Sequence, residues 1–176
     1  MTNIEIRPGT TADLDELAAL YDALNNQLAQ TQNFPGWVKG EYPVRETAAQ
    51  GIKEQTLFVF TNDKTIAGTI ILNHKPEASY HQAKWLFESD YSDILVVHTL
   101  AVHPDFFQRG IAKRLLEFAE QYGRANQIKS IRLDTFEDNV PAIKLYEKLD
   151  YQYIETIDLG LNIPGFVWFR LFEKLL

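Results

Sequence analysis

Leu100-Ala101-Val102-His103-Pro104-Asp105-Phe106-Phe107-Gln108-Arg109-Gly110-Ile111-Ala112 is the stretch whose reading decides the fold. It reads as a buried strand running into a turn, and the turn as the opening of a helix. The strand, Ile94 to Val102 (ILVVHTLAV), is the strongest strand signal in the chain. Residues 109 to 124 follow as a helix of good helix formers, with Ile111, Leu115, Phe118 and Tyr122 on one stripe. A helix N-terminus leaves backbone N–H groups unpaired and carries partial positive charge, so it accepts phosphate. Gly110 removes a side chain where a pyrophosphate would approach, and Ala112 nearly does the same. Arg109 and Lys113 can add charge at its edge. The same glycine also reads as turn geometry with no ligand at all.

Further along the chain stands a second constellation, Asn139-Val140-Pro141-Ala142-Ile143-Lys144-Leu145-Tyr146-Glu147-Lys148-Leu149-Asp150-Tyr151. Asn139 can cap a helix over 140 to 149, and Pro141 is tolerated in its first turn. Tyr146 reads either as a packing tyrosine or as a phenol that donates a proton to a leaving group.

The flanking sequence supplies the remaining elements. Ile4 and Ile6 share one face of a strand over residues 3 to 8, closed by Pro8-Gly9. Thr10 with Asp13 forms a capping-box pattern for a helix carrying Leu14, Leu17, Tyr21, Leu24 and Leu28 at helical spacing. A loop with aromatics runs from Ala29 to Pro43, and a second helix from Val44 to about Lys53. Thr56 to Thr61 and Thr65 to Leu72 read as a hairpin around Asn62-Asp63-Lys64, and Asn73 to Asp93 as irregular. Ser130 to Thr135 is a strand, and two more follow at 151 to 159 and 165 to 172. The order β-α-α-β-β-β-α-β-α-β-β implies one mixed sheet covered by helices. No repeat or linker divides the 176 residues, so one domain, 1-176, is expected.

Composition narrows the function classes. A 45% apolar, 23% charged chain is an ordinary globular protein, and a net charge of -7 argues against a footprint on nucleic acid or anionic membrane. The absence of cysteine excludes a disulfide scaffold and a thiolate nucleophile, and it fits a reducing cytoplasm. His74, His81, His98 and His103 form no zincin spacing, so no metal site is expected. No basic leader precedes an apolar run at the N-terminus, and no stretch approaches the ~20 residues of a membrane span.

Taken together, LAVHPDFFQRGIAKRLL and DNVPAIKLYEKLDY resemble the acyl-CoA-binding core of the GNAT superfamily of N-acetyltransferases. The family's glycine-rich segment has Arg or Gln, two residues, Gly, one residue, then Gly or Ala. Here Phe107 takes the Arg/Gln position, Gly110 the glycine and Ala112 the small residue. Asp150 replaces the glycine frequent after the second helix, and Asp tolerates that left-handed conformation better than most residues. The resemblance covers nearly the whole chain. It implies an α/β (α+β) fold, with a mixed, centrally splayed sheet of about seven strands flanked by helices.

By the same resemblance the protein is an enzyme that uses acetyl-CoA. The pantetheine arm would lie along Leu100, Ala101 and Val102, and the pyrophosphate against the segment Phe107, Gln108, Arg109, Gly110, Ile111, Ala112 and Lys113. Asn139 and Ala142 would stand near the cofactor, and Tyr146 beside its sulfur as general acid. With no cysteine, direct attack by a primary amine within a ternary complex is expected. A backbone N–H near Val102 would polarise the carbonyl. His98 is the candidate base, or else a buried histidine sharing a face with Leu100. Glu77, Glu88, Asp90 and Asp93 are further base candidates, and His103 is read as part of the turn. Phe34, Trp37 and Tyr42 can line one wall of an acceptor site and Trp85, Phe87 and Tyr91 another, or these aromatics simply seal the domain. The acceptor expected is a small amine or amino-acid-like metabolite. Acetylation of a protein or peptide and a non-catalytic acyl-CoA-binding domain are the alternatives. Phe166 to Phe172, with Trp168, can pack on a second subunit, giving a monomer or homodimer.

Overall fold

The computed structural model describes residues 3–176. Its elements follow the expected order: β1 (Ile4–Pro8), α1 (Leu14–Gln30), α2 (Arg45–Lys53), β2 (Leu57–Asn62), β3 (Thr65–Asn73), β4 (Ile94–Val102), α3 (Ile111–Ala125), β5 (Ser130–Phe136), α4 (Val140–Lys148), β6 (Gln152–Ile163) and β7 (Phe166–Leu175). Seven strands form a mixed sheet in the order β1-β2-β3-β4-β5-β7-β6. Among the described residues no helix is long and apolar enough to cross a membrane.

The chain divides into two compact units. The first holds the chain up to Asn33, Trp37–Leu72 and His98–Ala119. In it β1 pairs antiparallel with β2, and β2 with β3, around the left-handed turn residue Asp63 (φ 58). The entry to α1 is set by charge. Arg7 donates to both oxygens of Asp13 at 2.8 and 2.9 Å, and Thr10 N–H donates to Asp13 at 2.7 Å. That arrangement forms a short 3-10 turn, Thr11–Asp13, ahead of α1. Leu17, Leu20, Tyr21, Leu24 and Leu28 then bury one face of α1 against Leu57, Val59, Ile66, Ile71 and Ala101.

The second unit holds Phe34–Gly36, Asn73–Val97 and Glu120–Leu176. Here β4 pairs parallel with β5 over Ile94–Val96 and Ser130–Arg132, at the start of both strands. Strand β7 lies antiparallel to β5 and to β6. Tyr80, Val96, Ile157, Leu159, Phe169 and Leu171 form its buried cluster. Trp168 and Val167 remain exposed on β7.

Candidate functional site

The turn between β4 and α3 is built by alternating backbone conformations. His103 closes β4, its N–H donating to Ala67 O at 2.9 Å while its Nδ1 accepts from Asp105 N–H at 3.2 Å. Its role there is to hold the turn, as the sequence suggested. Pro104–Phe106 form a 3-10 turn. Gln108 (φ 62) and Gly110 (φ 74) then both take left-handed conformations around Arg109. Such alternation points successive N–H groups to one side, a nest for an anion. The first helical hydrogen bond of α3 is Arg114 N–H to Gly110 O at 3.1 Å. The N–H groups of Ile111, Ala112 and Lys113 precede it and have no partner within the helix. A Cβ placed on Gly110 would meet no atom within 4 Å, so the glycine borders open space. Phe107 is exposed, and Arg109 lies over the Phe106 ring, 5.0 Å from its centroid.

In β4 itself, His98, Leu100 and Val102 are half-buried and Thr99 and Ala101 buried, the alternation the sequence implied. Thr99 breaks the extended chain with φ 47, in the left-handed region. The Tyr42 hydroxyl is hydrogen-bonded to the Thr99 hydroxyl, and Trp37 meets Tyr42 edge to face at 5.7 Å. Asn25, buried in α1, holds Tyr42 from behind through its carbonyl at 3.2 Å. Trp37 and Tyr42 are thereby fixed beside the irregular point of β4.

In the second unit, Asn139 caps α4: its Oδ1 accepts from Ala142 N–H at 3.4 Å, and its Nδ2 donates to Thr135 Oγ1 at 2.9 Å. Tyr146 is buried, its ring 5.5 Å from Phe172 and 6.0 Å from Tyr151. Burial, reinforced by the charge of Asp134, raises its phenol above the usual tyrosine range. The helix ends at Asp150, whose φ of 64 is the left-handed conformation inferred for that position.

With this geometry in place, similarity to known proteins decides the family. The model of the Acetyltransferase (GNAT) family matches residues 19–151. The chain belongs to that family. An acetyltransferase of Pectobacterium atrosepticum is 44% identical over 64 residues, 36% of this chain and 45% of that protein. The matched stretch is thus under half the length of that relative. A GNAT-family acetyltransferase of Streptococcus agalactiae superposes with a TM-score of 0.80 at 22% identity, covering 98% of this chain and 95% of the other. The ribosomal-protein-S18-alanine N-acetyltransferase of Escherichia coli gives 0.70 at 18% identity, covering 98% and 94%. At these identities the two structures support the GNAT fold alone.

Against the GNAT frame the remaining aromatics separate. Trp85 and Tyr91 stack on the Arg132 guanidinium, their ring centroids 4.3 and 4.9 Å from it. Arg132 also donates to Tyr91 Oη at 2.7 Å and to the Phe87 carbonyl, and it pairs with the buried Glu173 at 3.0 Å. The rings of Trp85 and Tyr91 and the main-chain carbonyl of Phe87 thus engage Arg132 of β5. Phe34 is half-buried.

One group escaped the sequence reading. Asp134 on β5 is half-buried, and its Oδ2 accepts a 2.7 Å hydrogen bond from the fully buried Tyr80. Burial lifts its carboxyl to about 6, against a smaller opposite pull from the Tyr80 hydrogen bond, with Glu77 adding to the rise. The available signal was a carboxylate inside an otherwise apolar strand, SIRLDTF.

Proposed function

We propose that the protein is an N-acetyltransferase that moves the acetyl group of acetyl-CoA to a primary amine. The observation that carries this reading is Gly110, left-handed and open, next to the left-handed Gln108 at the head of α3. Those residues fit coenzyme A: main-chain N–H groups from Gln108 to Lys113 would hold the pyrophosphate, and a side chain at 110 would intrude on it. Phe107 takes no part through its side chain in a cradle made of backbone. Leu100, Ala101 and Val102 would lie along the pantetheine arm. The parallel pairing at the start of β4 and β5 supports that reading, because it places the paired residues well before this segment. Asn139 would act through the cap it forms, since both ends of its amide are engaged within the protein.

Acetyl-CoA supplies the electrophilic thioester carbonyl. A main-chain N–H near Val102 would polarise that carbonyl. Tyr146 would protonate the departing sulfur, and its raised pKa keeps the phenol protonated at neutral pH, the form an acid needs. Tyr42, pinned to Thr99, and Trp37, packed on Tyr42, would supply one aromatic wall for the acceptor. Their fixed placement and the net charge of -7 favour a small cationic amine. Both compact units belong, in this reading, to one acetyltransferase domain, which the match across residues 19–151 supports. The lack of cysteine supports a cytoplasmic location.

Replacing Tyr146 with Phe tests the assignment. Turnover, read as thiol release from acetyl-CoA, should fall by roughly 100-fold while acetyl-CoA affinity is retained. Unchanged turnover would return Tyr146 to packing alone.

A further inference from the structure

We propose that Tyr42 is a positioning residue for acetyl transfer: its hydroxyl, bonded to Thr99, holds β4 in the conformation from which Leu100, Ala101 and Val102 meet the pantetheine arm and its thioester. The proposal rests on the acetyl-transfer reading above, and it gives Tyr42 a role at the same site exerted through the main chain of β4.

Thr99 is the residue that needs holding. It is buried in the middle of β4 at φ 47. For an L-residue branched at Cβ that conformation is an outlier, because the side chain crowds the backbone. A residue stays in such a region only where its surroundings over-determine it. An extended strand alternates the direction of successive peptides, and a left-handed residue interrupts that alternation. The direction in which Leu100–Val102 present their main chain is therefore set at Thr99.

The position of Thr99 along β4 puts it at the site. The pairing of β4 with β5 covers Ile94–Val96, and Thr99 stands beyond it. From His98 to Ala119 the chain runs within one compact unit, which holds Thr99 together with the left-handed Gln108 and Gly110 at the head of α3. Thr99 directly precedes the three residues read as the pantetheine track.

Tyr42 belongs to the same unit and is fixed at both ends. Its hydroxyl is hydrogen-bonded to the Thr99 hydroxyl. Its carbonyl accepts from Asn25 Nδ2 of α1 at 3.2 Å, and its N–H donates to Val38 O at 3.0 Å. Trp37 stands edge-on to the ring, and Asn33 clamps Trp37, donating to its carbonyl at 2.8 Å and accepting from its N–H at 3.2 Å. Asn25 and Thr99 are buried, yet Tyr42 keeps 40% of its surface exposed. Core filling would have taken the ring out of water. Its bonds instead tie the loop between α1 and α2 to the one left-handed residue of β4.

The test uses the whole protein with acetyl-CoA and a panel of primary amines (spermidine, ethanolamine and glycinamide), reading thiol release, with acetyl-CoA affinity measured by calorimetry. Tyr42→Phe removes the hydroxyl and keeps the ring. We expect kcat to fall by about tenfold with every amine that is turned over, while the amine KM and the acetyl-CoA Kd stay within about threefold. Thr99→Val removes the other hydroxyl and should lower kcat to a similar extent. The double variant should be no slower than the slower single one, since both substitutions remove the same bond. Thr99→Ser, which keeps a hydroxyl for Tyr42, should lose less of kcat than Thr99→Val. A role in folding alone would lower the melting temperature of Tyr42→Phe and leave kcat per folded molecule within about twofold of the natural protein, and that result would overturn the assignment. Losses that multiply in the double variant would overturn it too. So would a loss confined to the amine KM, which would make Tyr42 a direct contact of the acceptor. Acetyl transfer stands in each of these cases. No thiol release by the natural protein with any amine would overturn both.

Discussion

Gly110 takes a backbone conformation that an L side chain resists, and Asp134 is a carboxyl that burial holds above its ordinary range. At Gly110 the left-handed φ of 74 costs any L side chain roughly 1–2 kcal/mol, and no neighbour blocks a Cβ there. Gly110→Ala should therefore fold with a slightly lowered melting temperature and lose acetyl-CoA affinity by about tenfold or more, read by titration calorimetry. Retained affinity would leave the glycine as turn geometry. At Asp134 the folded pKa of about 6 lies above the ordinary carboxylate value. The protonated group is thus favoured by the fold at low pH, and that contribution is lost as pH rises through about 6. The isosteric amide of Asp134→Asn escapes that loss. From sequence, Gly110, Asn139 and the left-handed Asp150 were legible because each carries a backbone requirement in its residue type. Asp134 was not, because its meaning depends on Tyr80, 54 positions away in the chain.

Elements were read well where apolar runs are uninterrupted and less well where a buried charge breaks them. The last strand was expected to stop at residue 172, yet β7 runs to Leu175. Glu173 looks like a terminator, but it is wholly buried. It faces Arg132 in the ladder and accepts from Ser130 at 2.6 Å and from Leu86 N–H at 2.6 Å. The α3 helix begins at Ile111 instead of residue 109 because Gly110 is left-handed. A 3-10 turn at Thr11–Asp13 takes the place of the first turn expected after Thr10. The Arg132–Glu173 pair makes a prediction at this scale. Glu173→Ala leaves a buried guanidinium without its carboxylate and should cost about 3–5 kcal/mol by denaturant titration. It should also open the loop around Trp85, Phe87 and Tyr91 to limited proteolysis. An exposed-pair cost below 1 kcal/mol would show the network to be dispensable.

For the molecule as a whole, the order of elements was legible because hairpin signals and strand–helix alternation each have their own periodicity. The seven-stranded mixed sheet with its four helices follows that order, and the GNAT family match accounts for it. The walls that choose the acceptor were less legible: six aromatics looked alike in sequence, while the fold commits Trp85, Phe87 and Tyr91 to Arg132 and pins Tyr42 to Thr99. In the proposed function the head of α3 holds acetyl-CoA. Calorimetric titration of the whole protein with acetyl-CoA, with free CoA and ATP as controls, tests it most directly. Both coenzyme A forms should bind with micromolar affinity and ATP much more weakly; affinity for acetyl-CoA no greater than for ATP would rule out a coenzyme A site at the head of α3.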